Sequence, residues 1–174
     1  IILIKYGELT TKKDNRKVFI NILYNNIKKA LINYKVNIIK TRDRMYIETE
    51  ENIDEVVDIL KNIFGIHSIV VATRVNTNTE EIEANVLEVA KNIEFNTFKV
   101  ETTRSDKSFP IPSMDFSRRI GSLILRNIPN KKVDVHNPDY LLHIEIRKDY
   151  TYIYHKEIKA SGGYPVSVAG RGLL

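Results

Sequence analysis

The sequence of 174 residues contains no cysteine. This absence excludes disulfide bonds, thiolate metal ligands and cysteine nucleophiles within these residues. The sequence also has no apolar run near the roughly 20 residues that cross a bilayer, so no membrane helix is predicted. The opening run Ile-Ile-Leu-Ile is too short for the hydrophobic region of a secretory signal. From these absences we expect a cytoplasmic protein.

The histidines and glycines lack the spacing of catalytic or metal-binding motifs. None of the four histidines forms a His-x-x-x-His or His-x-His pair, so no metal site is predicted. His136 lies near Asp139, but a histidine in an Asn-Pro-Asp turn more often hydrogen-bonds to the backbone than acts as an acid or base. The glycines at 162–163 and 170–172 lack the lysine of a phosphate loop. We therefore predict no catalytic residue, metal or cofactor in this chain.

The net charge of +5 is unevenly distributed along the chain. Residues 1–49 hold 11 basic and 4 acidic side chains, residues 50–94 hold 3 and 10, and residues 95–174 hold 13 and 8. Two basic blocks separated by an acidic one favour a polyanionic partner that contacts two separate surfaces, which makes nucleic acid the leading hypothesis. Basic faces that contact only solvent are the alternative.

Periodicity within residues 1–75 predicts a small α+β domain. Apolar side chains recur every three or four residues in two predicted helices, and four short β-branched runs indicate strands. Gly65 fits a left-handed cap after the second helix. The order β-α-β-β-α-β is that of a ferredoxin-like fold, with two helices on one face of a four-stranded antiparallel sheet. The predicted elements are strands at 1–6, 36–40, 44–48 and 66–75, and helices at 16–34 and 53–64.

A second, α/β unit is predicted after a polar break at residues 76–79. Asn78 followed by Glu81 fits the start of a helix. A strand at 98–103 precedes a helix at 113–127, which Ser113 would cap. Gly121 within this helix would permit close approach to the sheet, at about 1 kcal/mol in helix propensity.

The segment at 133–147, VDVHNPDYLLHIEIR, organises this second unit. Two alternating apolar runs, typical of half-buried strands, flank the Asn-Pro-Asp turn. Residues 150–154 continue the alternation after a tight hairpin at Lys148-Asp149. The last residues, 160–174, hold four of the seven glycines and are predicted to be a linker.

Five segments together resemble the tRNA 4-thiouridine synthetases, also called thiamine-biosynthesis sulfurtransferases. They follow the order of the family, and the resemblance covers essentially the whole sequence. The segments are IKYGELTTKKDNRKVFI (4–20), TRDRMYI (41–47), IFGIHSI (63–69), VDVHNPDYLLHIEIR (133–147) and GGYPVSVAGRGLL (162–174).

The resemblance implies a ferredoxin-like domain at 1–75, a THUMP RNA-binding domain at 76–160, and a linker at 161–174 into an ATP-pyrophosphatase (PP-loop) domain. The phosphate loop of that domain, Ser-Gly-Gly-x-Asp-Ser, does not occur in this sequence, nor do the cysteines that relay sulfur in the family. We therefore expect a chain that ends before the catalytic domain and is inactive by itself.

For the full-length enzyme, the resemblance implies ATP with Mg²⁺ as the cofactor and a cysteine desulfurase as the sulfur donor. A uridine of tRNA would be adenylated and its oxygen replaced by sulfur, and the same sulfur would serve the thiazole of thiamine. The THUMP domain would hold the single-stranded 3′ end of the acceptor stem, and a homodimer is a further expectation. Two alternatives are a self-contained enzyme on the ferredoxin-like fold and a protein-interaction module that docks a sulfur donor or a second subunit.

Candidate tRNA-binding residues in the first domain are basic side chains at loop and helix ends. Four cations crowd a loop and the first turn of a helix, where they oppose the helix dipole unless an anion or solvent screens them. Two more bracket a hairpin tip, where Asp43 would neutralise either of them. These candidates are Lys12, Lys13, Arg16, Lys17, Arg42 and Arg44.

Candidates in the second domain combine cations with one aromatic ring. Phe109 would stack on an unpaired base or would instead fill the core between two prolines. The cations lie around it and along the following helix. The full set is Lys99, Arg104, Lys107, Phe109, Arg118, Arg119, Arg126 and Lys132.

Overall fold

The computed structural model describes residues 1–7 and 15–167. They form two compact units: Ile1–Val71 together with the chain from Glu157 onward, and Ala72–Lys156. Within these residues, no helix is both long and apolar enough to cross a membrane. The elements in chain order are β1 (Ile2–Tyr6), α1 (Arg16–Ala30), β2 (Val36–Lys40), β3 (Arg44–Thr49), α2 (Ile53–Leu60), β4 (Ile66–Val71), β5 (Thr73–Asn76), α3 (Thr79–Lys91), β6 (Thr97–Arg104), α4 (Ser113–Asn127), β7 (Lys132–Val133), β8 (Tyr140–Ile146), β9 (Tyr150–Tyr154) and β10 (Glu157–Lys159).

The first unit contains the predicted β-α-β-β-α-β order around one antiparallel sheet. Its strands lie in the order β10-β4-β1-β3-β2. Apolar faces of α1 and α2 join the inward side chains of the sheet in one core, in which Leu23, Ile27 and Leu60 are fully buried or nearly so. The side chain of Asn52 starts α2 by accepting the backbone N–H groups of Asp54 and Glu55.

A fifth strand, which the sequence did not predict, extends this sheet. Ile158 of β10 lies opposite Ile69 of β4. Glu157 fixes the register, because one carboxylate oxygen accepts from the Ser68 hydroxyl at 2.5 Å and the other lies 3.2 Å from Lys5 Nζ. The chain therefore returns to the first sheet after it has formed the second unit.

The prediction of one strand at 66–75 was wrong, because the chain changes sheets at Ala72. β4 ends at Val71 and pairs with β1, whereas β5 pairs with β9 of the second sheet. The β-branched residues continue through this point with a strand-like period, so the sequence carries no local signal for the change of sheet.

The second unit has the strand order β5-β9-β8-β6-β7, with β6 parallel to both β7 and β8. The predicted hairpin at Lys148-Asp149 is confirmed, since β8 and β9 pair antiparallel across it. The two runs of segment 133–147 do not pair with each other, because both pair with β6. The loop between them is held at the start of β6, where Asp139 accepts the N–H groups of Asn96 and Thr97.

Of the two predicted helix starts in this unit, only the first is confirmed. Asn78 accepts the N–H of Glu81 at 2.8 Å, and the Glu81 carboxylate in turn accepts the N–H of Asn76 at 3.1 Å. Ser113 is not the cap of α4: Pro112 occupies that position, and no side chain caps the helix. Pro112 sets the entry of the helix through its fixed φ, and its side chain has no oxygen that could accept the N–H groups of the first turn.

The two glycines that the sequence singled out have different environments. Gly65 adopts the predicted left-handed conformation with φ of +100°, and a Cβ there would lie 2.7 Å from Pro165. The expectation for Gly121 was wrong, because a Cβ on it would meet no heavy atom within 4 Å. α4 therefore leaves open space at Gly121 instead of packing closely.

Residues 161–167, the described part of the predicted linker, pack on the first unit. The N–H of Gly65 donates to the carbonyl of Gly162 at 2.7 Å, and the N–H of Gly162 donates to Ile66 at 2.8 Å. The backbone and hydroxyl of Ser161 both donate to the carbonyl of Lys61. Residues 168–174 lie outside the described part of the chain.

Candidate nucleic-acid interface

A basic cavity of about 420 Å³ lies in the first unit, beside the start of α1 and the end of β2. Among the described residues, its charged lining residues are all cations: Arg16, Lys17, Lys40 and Arg42. Antiparallel pairing of β2 with β3 places the turn at 41–43 beside the first turn of α1. The fold thus gathers cations from two separate parts of the sequence into one concave site.

The cations of this cavity, hereafter the α1 basic cavity, are held in different ways. Lys40 Nζ donates to the side-chain oxygen of Asn21 at 2.7 Å and lies 4.6 Å from the centre of the Tyr24 ring. The Nε of Arg16 is buried and has no hydrogen-bond partner within the described ranges 1–7 and 15–167. This nitrogen has almost no accessible surface, so an anion in the cavity would not contact it directly.

The backbone of α1 strengthens the preference for an anion. The first turn of the helix has no acidic side chain, and the side chain of Asn15 at the cap position makes no capping hydrogen bond. Its N-terminal partial positive charge therefore adds to the charge of the two cations that follow. This combination of N–H groups and guanidinium groups is suited to a phosphate.

The turn at 41–43 is held by local hydrogen bonds and by a half-buried tyrosine, Tyr6. The Thr41 hydroxyl bonds to Asp43 at 2.7 Å and to the Arg44 carbonyl at 2.8 Å. The Tyr6 hydroxyl donates to the Thr41 carbonyl at 3.1 Å, and burial, followed by the charge of Asp43, raises the pKa of Tyr6 well above its usual range. Tyr6 is therefore a neutral donor that holds the turn in place.

Of the six residues of the first domain that were predicted to bind tRNA, three line the α1 basic cavity. Arg16, Lys17 and Arg42 come together in the α1 basic cavity. Arg44 instead lies 3.4 Å from Asp43, with only 12% of its side chain exposed. Lys12 and Lys13 lie outside the described residues. Sequence reasoning missed Lys40, which the pairing of the predicted hairpin beside α1 would have indicated.

In the second unit, two residues that were predicted to contact RNA instead stabilise the fold. Arg104 Nη1 donates to the carbonyl of Phe109 at 2.7 Å and to that of Ile111 at 3.4 Å. The ring of Phe109 is buried in the core and meets Phe116 edge-on at 5.4 Å. Of the two alternatives for Phe109, the core position is therefore the observed one, and its face is not offered to a base.

Three further predicted cations of this unit have acidic neighbours. Lys99 Nζ lies 2.9 Å from Glu101, and its hydrogen bond lowers the pKa of that carboxyl. Arg119 Nε lies 2.5 Å from Glu83, and Arg118 lies 3.6 Å from Asp115 in an exposed pair. By contrast Lys107, Arg126 and Lys132 are exposed, and no ion pair joins them to another described residue.

No metal centre accompanies these surfaces in the described ranges 1–7 and 15–167, where no group of three His, Cys, Asp or Glu side chains is placed to hold an ion. The chemistry available in the α1 basic cavity is therefore hydrogen bonding and charge.

Family comparisons agree with this organisation. Residues 1–70 match the family described as the ThiI ferredoxin-like domain, and residues 76–156 match the THUMP domain family. The chain is a ThiI ferredoxin-like domain followed by a THUMP domain. The predicted fold class, a ferredoxin-like βαββαβ domain followed by an α/β THUMP domain, is thereby confirmed, as is the family resemblance.

Curated relatives contain both domains in a longer chain. A probable tRNA sulfurtransferase of Thermoanaerobacter pseudethanolicus is 48% identical over 175 residues, which are 100% of this chain and 46% of the relative. One from Macrococcus caseolyticus is 44% identical over 180 residues, covering 99% of this chain and 44% of the relative. The chain thus spans less than half the length of these relatives.

Two solved structures are similar to nearly the whole of this chain. PH1313 from Pyrococcus horikoshii is 33% identical with a TM-score of 0.86, covering 98% of this chain and 58% of that one. A 4-thiouridine synthetase solved with RNA and bound ATP is 31% identical with a TM-score of 0.83, covering 97% of this chain and 44% of that one.

Proposed function

We propose that this chain binds tRNA and is the RNA-recognition part of an ATP-dependent tRNA sulfurtransferase that makes 4-thiouridine. The observation that carries the proposal is the α1 basic cavity, which four cations of the described chain line. The similarity to probable tRNA sulfurtransferases and to a 4-thiouridine synthetase crystallised with RNA supports the choice of tRNA among polyanions.

The α1 basic cavity would bind phosphate groups of the RNA backbone. Guanidinium groups bind phosphate oxygens through paired hydrogen bonds, and two arginines, Arg16 and Arg42, line the cavity. Recognition of double-stranded RNA rests mainly on shape, phosphates and 2′-hydroxyls, because its deep major groove is closed to side chains. We therefore expect contacts that are sensitive to salt and tolerant of sequence.

In the THUMP domain, we propose that exposed cations hold the single-stranded 3′ end of the acceptor stem. The main candidates for this contact are Lys107, Arg126 and Lys132, because they are exposed and have no ion pair to another described residue. Weaker candidates are Lys99, Arg118 and Arg119, because each would have to leave its carboxylate partner to bind a phosphate. We do not include Phe109 and Arg104 among the proposed tRNA contacts, because they hold the loop at 104–111 in place.

The activity of the longer protein follows as part of the same proposal. ATP with Mg²⁺, a cysteine desulfurase as sulfur donor, sulfur supply for the thiamine thiazole, a homodimer and a cytoplasmic location are all assigned to the full-length enzyme. The present sequence has neither a phosphate loop nor cysteine. Purified chain should therefore show no ATP-dependent thiolation of tRNA.

A titration with matched charge variants tests the proposal. The double variant Lys17→Gln with Arg42→Gln removes two cations of the α1 basic cavity. Its control, Lys28→Gln with Lys29→Gln, removes two exposed cations from the last turn of the same helix. Fluorescence anisotropy with labelled tRNA should give roughly tenfold weaker binding for the first and little change for the second. Equal losses would mean that the attraction is generic.

The 3′-end assignment needs its own comparison. The variant Arg126→Gln with Lys132→Gln should weaken binding of intact tRNA but have little effect on tRNA trimmed at its single-stranded 3′ end. If trimming leaves the affinity of the wild-type chain unchanged, the 3′ end is not a ligand of this chain, whatever the outcome for the α1 basic cavity.

A further inference from the structure

The second unit has a single exposed aromatic ring. Residues 72–156, all of which the structure describes, contain eight Phe and Tyr side chains, and seven of them, Phe109 among them, are buried. The exposed one is Tyr150 at the start of β9, with an exposed fraction of 42%. Proteins hold single-stranded RNA largely by stacking its unpaired bases on aromatic rings and guanidinium planes. With Phe109 in the core, Tyr150 is the aromatic side chain of this unit that is available for such a contact.

A guanidinium group covers part of this ring. Ile153 belongs to the core on the helix side of the sheet, so Tyr150, three positions earlier in the same strand, lies on the opposite face. Arg74 of β5 lies on that face too, because its neighbour Val75 packs on the core. The guanidinium carbon of Arg74 lies 4.7 Å from the centre of the Tyr150 ring. This pair, hereafter the Tyr150 platform, combines the two kinds of planar group on which bases stack.

Hydrogen bonds fix the backbone that carries the ring. The N–H of Arg147 donates to the carbonyl of Tyr150 at 3.1 Å, which closes the hairpin. Thr77 holds the same hairpin from β5, since its N–H donates to the carbonyl of Asp149 at 3.0 Å and its hydroxyl to that of Arg147 at 2.7 Å. A ring on a fixed backbone has little conformational entropy to lose when a base stacks on it.

A cation proposed to contact tRNA leaves the sheet at the same edge as the platform. β6 and β8 are parallel, with Arg104 beside Ile146, and the N–H of Ser105 donates to the carbonyl of Ile146 at 3.0 Å. The loop that carries Lys107 and the hairpin that precedes Tyr150 therefore start side by side. Two strand spacings, about 10 Å, separate β6 from β9. A short single strand can therefore stack a base on the platform while a phosphate meets Lys107.

The charges in and beside the platform are balanced. Lys148 and Asp149 of the hairpin have opposite charges. Arg74 is offset by Glu81, whose carboxylate accepts the N–H of Asn76, the residue opposite Tyr150 in β5, at 3.1 Å. Attraction of phosphates is therefore weak here, in contrast to the α1 basic cavity with its four cations. The chemistry of the platform suits a base more than a phosphate.

We propose that the Tyr150 platform stacks an unpaired base of the bound RNA. The inference rests on the proposed function, which makes RNA the ligand, and it adds a base contact that the phosphate-binding cations do not provide. The base comes from the single-stranded 3′ end or from a loop of tRNA, since both display unstacked bases. Every base has a π face, so the contact tolerates changes of sequence.

The contact is tested first with a labelled single-stranded RNA of about six nucleotides, with anisotropy as the readout. Tyr150→Val removes the ring but keeps a β-branched residue in the strand, and it should weaken binding roughly 5- to 100-fold. Tyr150→Phe keeps the ring and should bind like wild type. The control Tyr164→Ala removes an exposed tyrosine of the first unit and should have no effect. In NMR spectra of the wild type, the ring protons of Tyr150 should move upfield when the RNA is added.

Three results of this experiment would overturn the proposal. The first is a wild-type chain that does not bind the short RNA. The second is equal affinity of wild type and Tyr150→Val. The third is an equal loss in Tyr150→Val and Tyr150→Phe, which would show that the hydroxyl group, and not the ring, makes the contact.

Salt dependence with tRNA separates the platform from the α1 basic cavity. Stacking releases no counterions, so Tyr150→Val should lower tRNA affinity at least about fivefold without changing the slope of log K against log salt. Lys17→Gln with Arg42→Gln should flatten that slope. If only this double variant loses affinity, the platform is wrong and the α1 basic cavity stands; if only Tyr150→Val loses affinity, the platform stands and the cavity is wrong. A loss confined to intact tRNA assigns the base to the 3′ end, and a loss that persists with 3′-trimmed tRNA assigns it to a loop.

Discussion

The guanidinium group of Arg104 donates a 2.7 Å hydrogen bond to the carbonyl oxygen of Phe109, whose ring is buried against Phe116. Both residues carried features that suggest RNA recognition: a cation and an aromatic ring within a loop. In the structure, the hydrogen bond of Arg104 and the packing of Phe109 together fix the loop of residues 104–111. This relationship separates residues that hold the loop from residues that are available to a ligand.

Replacement of Arg104 should therefore affect stability more than RNA affinity. Arg104→Gln removes a charged donor from two backbone carbonyls, and we expect a loss of roughly 1–3 kcal/mol in unfolding free energy, measured by urea denaturation. The control is Lys107→Gln, an exposed cation of the same loop, which should leave stability nearly unchanged and weaken tRNA binding. If Arg104→Gln weakened tRNA binding without loss of stability, and Lys107→Gln destabilised the fold, the structural role of Arg104 would be contradicted.

The two predicted helix starts of the second unit provide a matched pair. Asn78→Ala removes the side chain that accepts the Glu81 N–H and should cost about 1 kcal/mol of unfolding free energy. Ser113→Ala should cost much less, because Ser113 makes no capping bond and the helix is entered through Pro112. Thermal or urea denaturation of both variants measures the difference. Equal costs would mean that Ser113 caps α4 in solution.

How far the sequence predicted this fold depends on the range of each interaction. Asn78 with Glu81 was found because both partners lie within one turn, and the hairpin at Lys148-Asp149 was found for the same reason. The pairing of Glu157 with Ser68 was not, because 89 residues separate the two side chains and neither belongs to a local motif. The change of sheet at Ala72 likewise leaves the strand period intact.

The candidate site shows the same limit. Arg16 and Lys17 were suspected because four cations precede and open one helix. Lys40 was missed because its place in the α1 basic cavity depends on the packing of β2 beside α1. Phe109 remained undecided until its burial was known, since a ring directly before Pro110 is consistent with a core position and with an exposed one.

The carboxylate of Glu81 predicts a specific pH dependence. Hydrogen bonds from Asn78 and then Asn76 lower the pKa of Glu81 below its usual value. A carboxyl with a lowered folded-state pKa adds stability above its unfolded-state pKa, and that stability is lost as pH falls through the folded-state value. Urea denaturation of wild type and Glu81→Gln at several pH values should show a difference near neutral pH that shrinks in acid. A difference that persists in acid would contradict this assignment.

Two of the three left-handed glycines of the first unit, Gly65 and Gly162, should differ in their tolerance of alanine. Both Gly65 and Gly162 have positive φ, so each substitution carries the backbone strain of roughly 1–2 kcal/mol. Only at Gly65 would the new Cβ also collide with Pro165, whereas at Gly162 it would meet nothing within 4 Å. Gly65→Ala should therefore destabilise more, and adding Pro165→Ala should restore part of the loss. Equal losses without rescue would mean that Pro165 does not pack there in solution.

The division into domains can be tested by separating them. The predicted boundaries were residues 1–75 and 76–160; we propose that the two units fold separately with their boundaries at Ala72 and Glu157, so that β5 belongs to the second unit and β10 to the first. A fragment of residues 72–156 should fold by itself, as judged by amide chemical shifts. Residues 1–71 should be more stable when residues 157–167 are joined to them through a short glycine-serine linker. Unfolded 72–156, or no gain from residues 157–167, would contradict the division.

The most direct test of tRNA binding through the α1 basic cavity is the salt dependence of tRNA affinity. If about four phosphates are neutralised, log K should fall with log salt at a slope of roughly −3 to −4. Lys17→Gln with Arg42→Gln should flatten this slope by roughly 1 to 2, because each lost phosphate contact removes about one unit. Lys28→Gln with Lys29→Gln should leave it unchanged. A flat slope for wild type, or the same slope for all three proteins, would contradict binding through the α1 basic cavity.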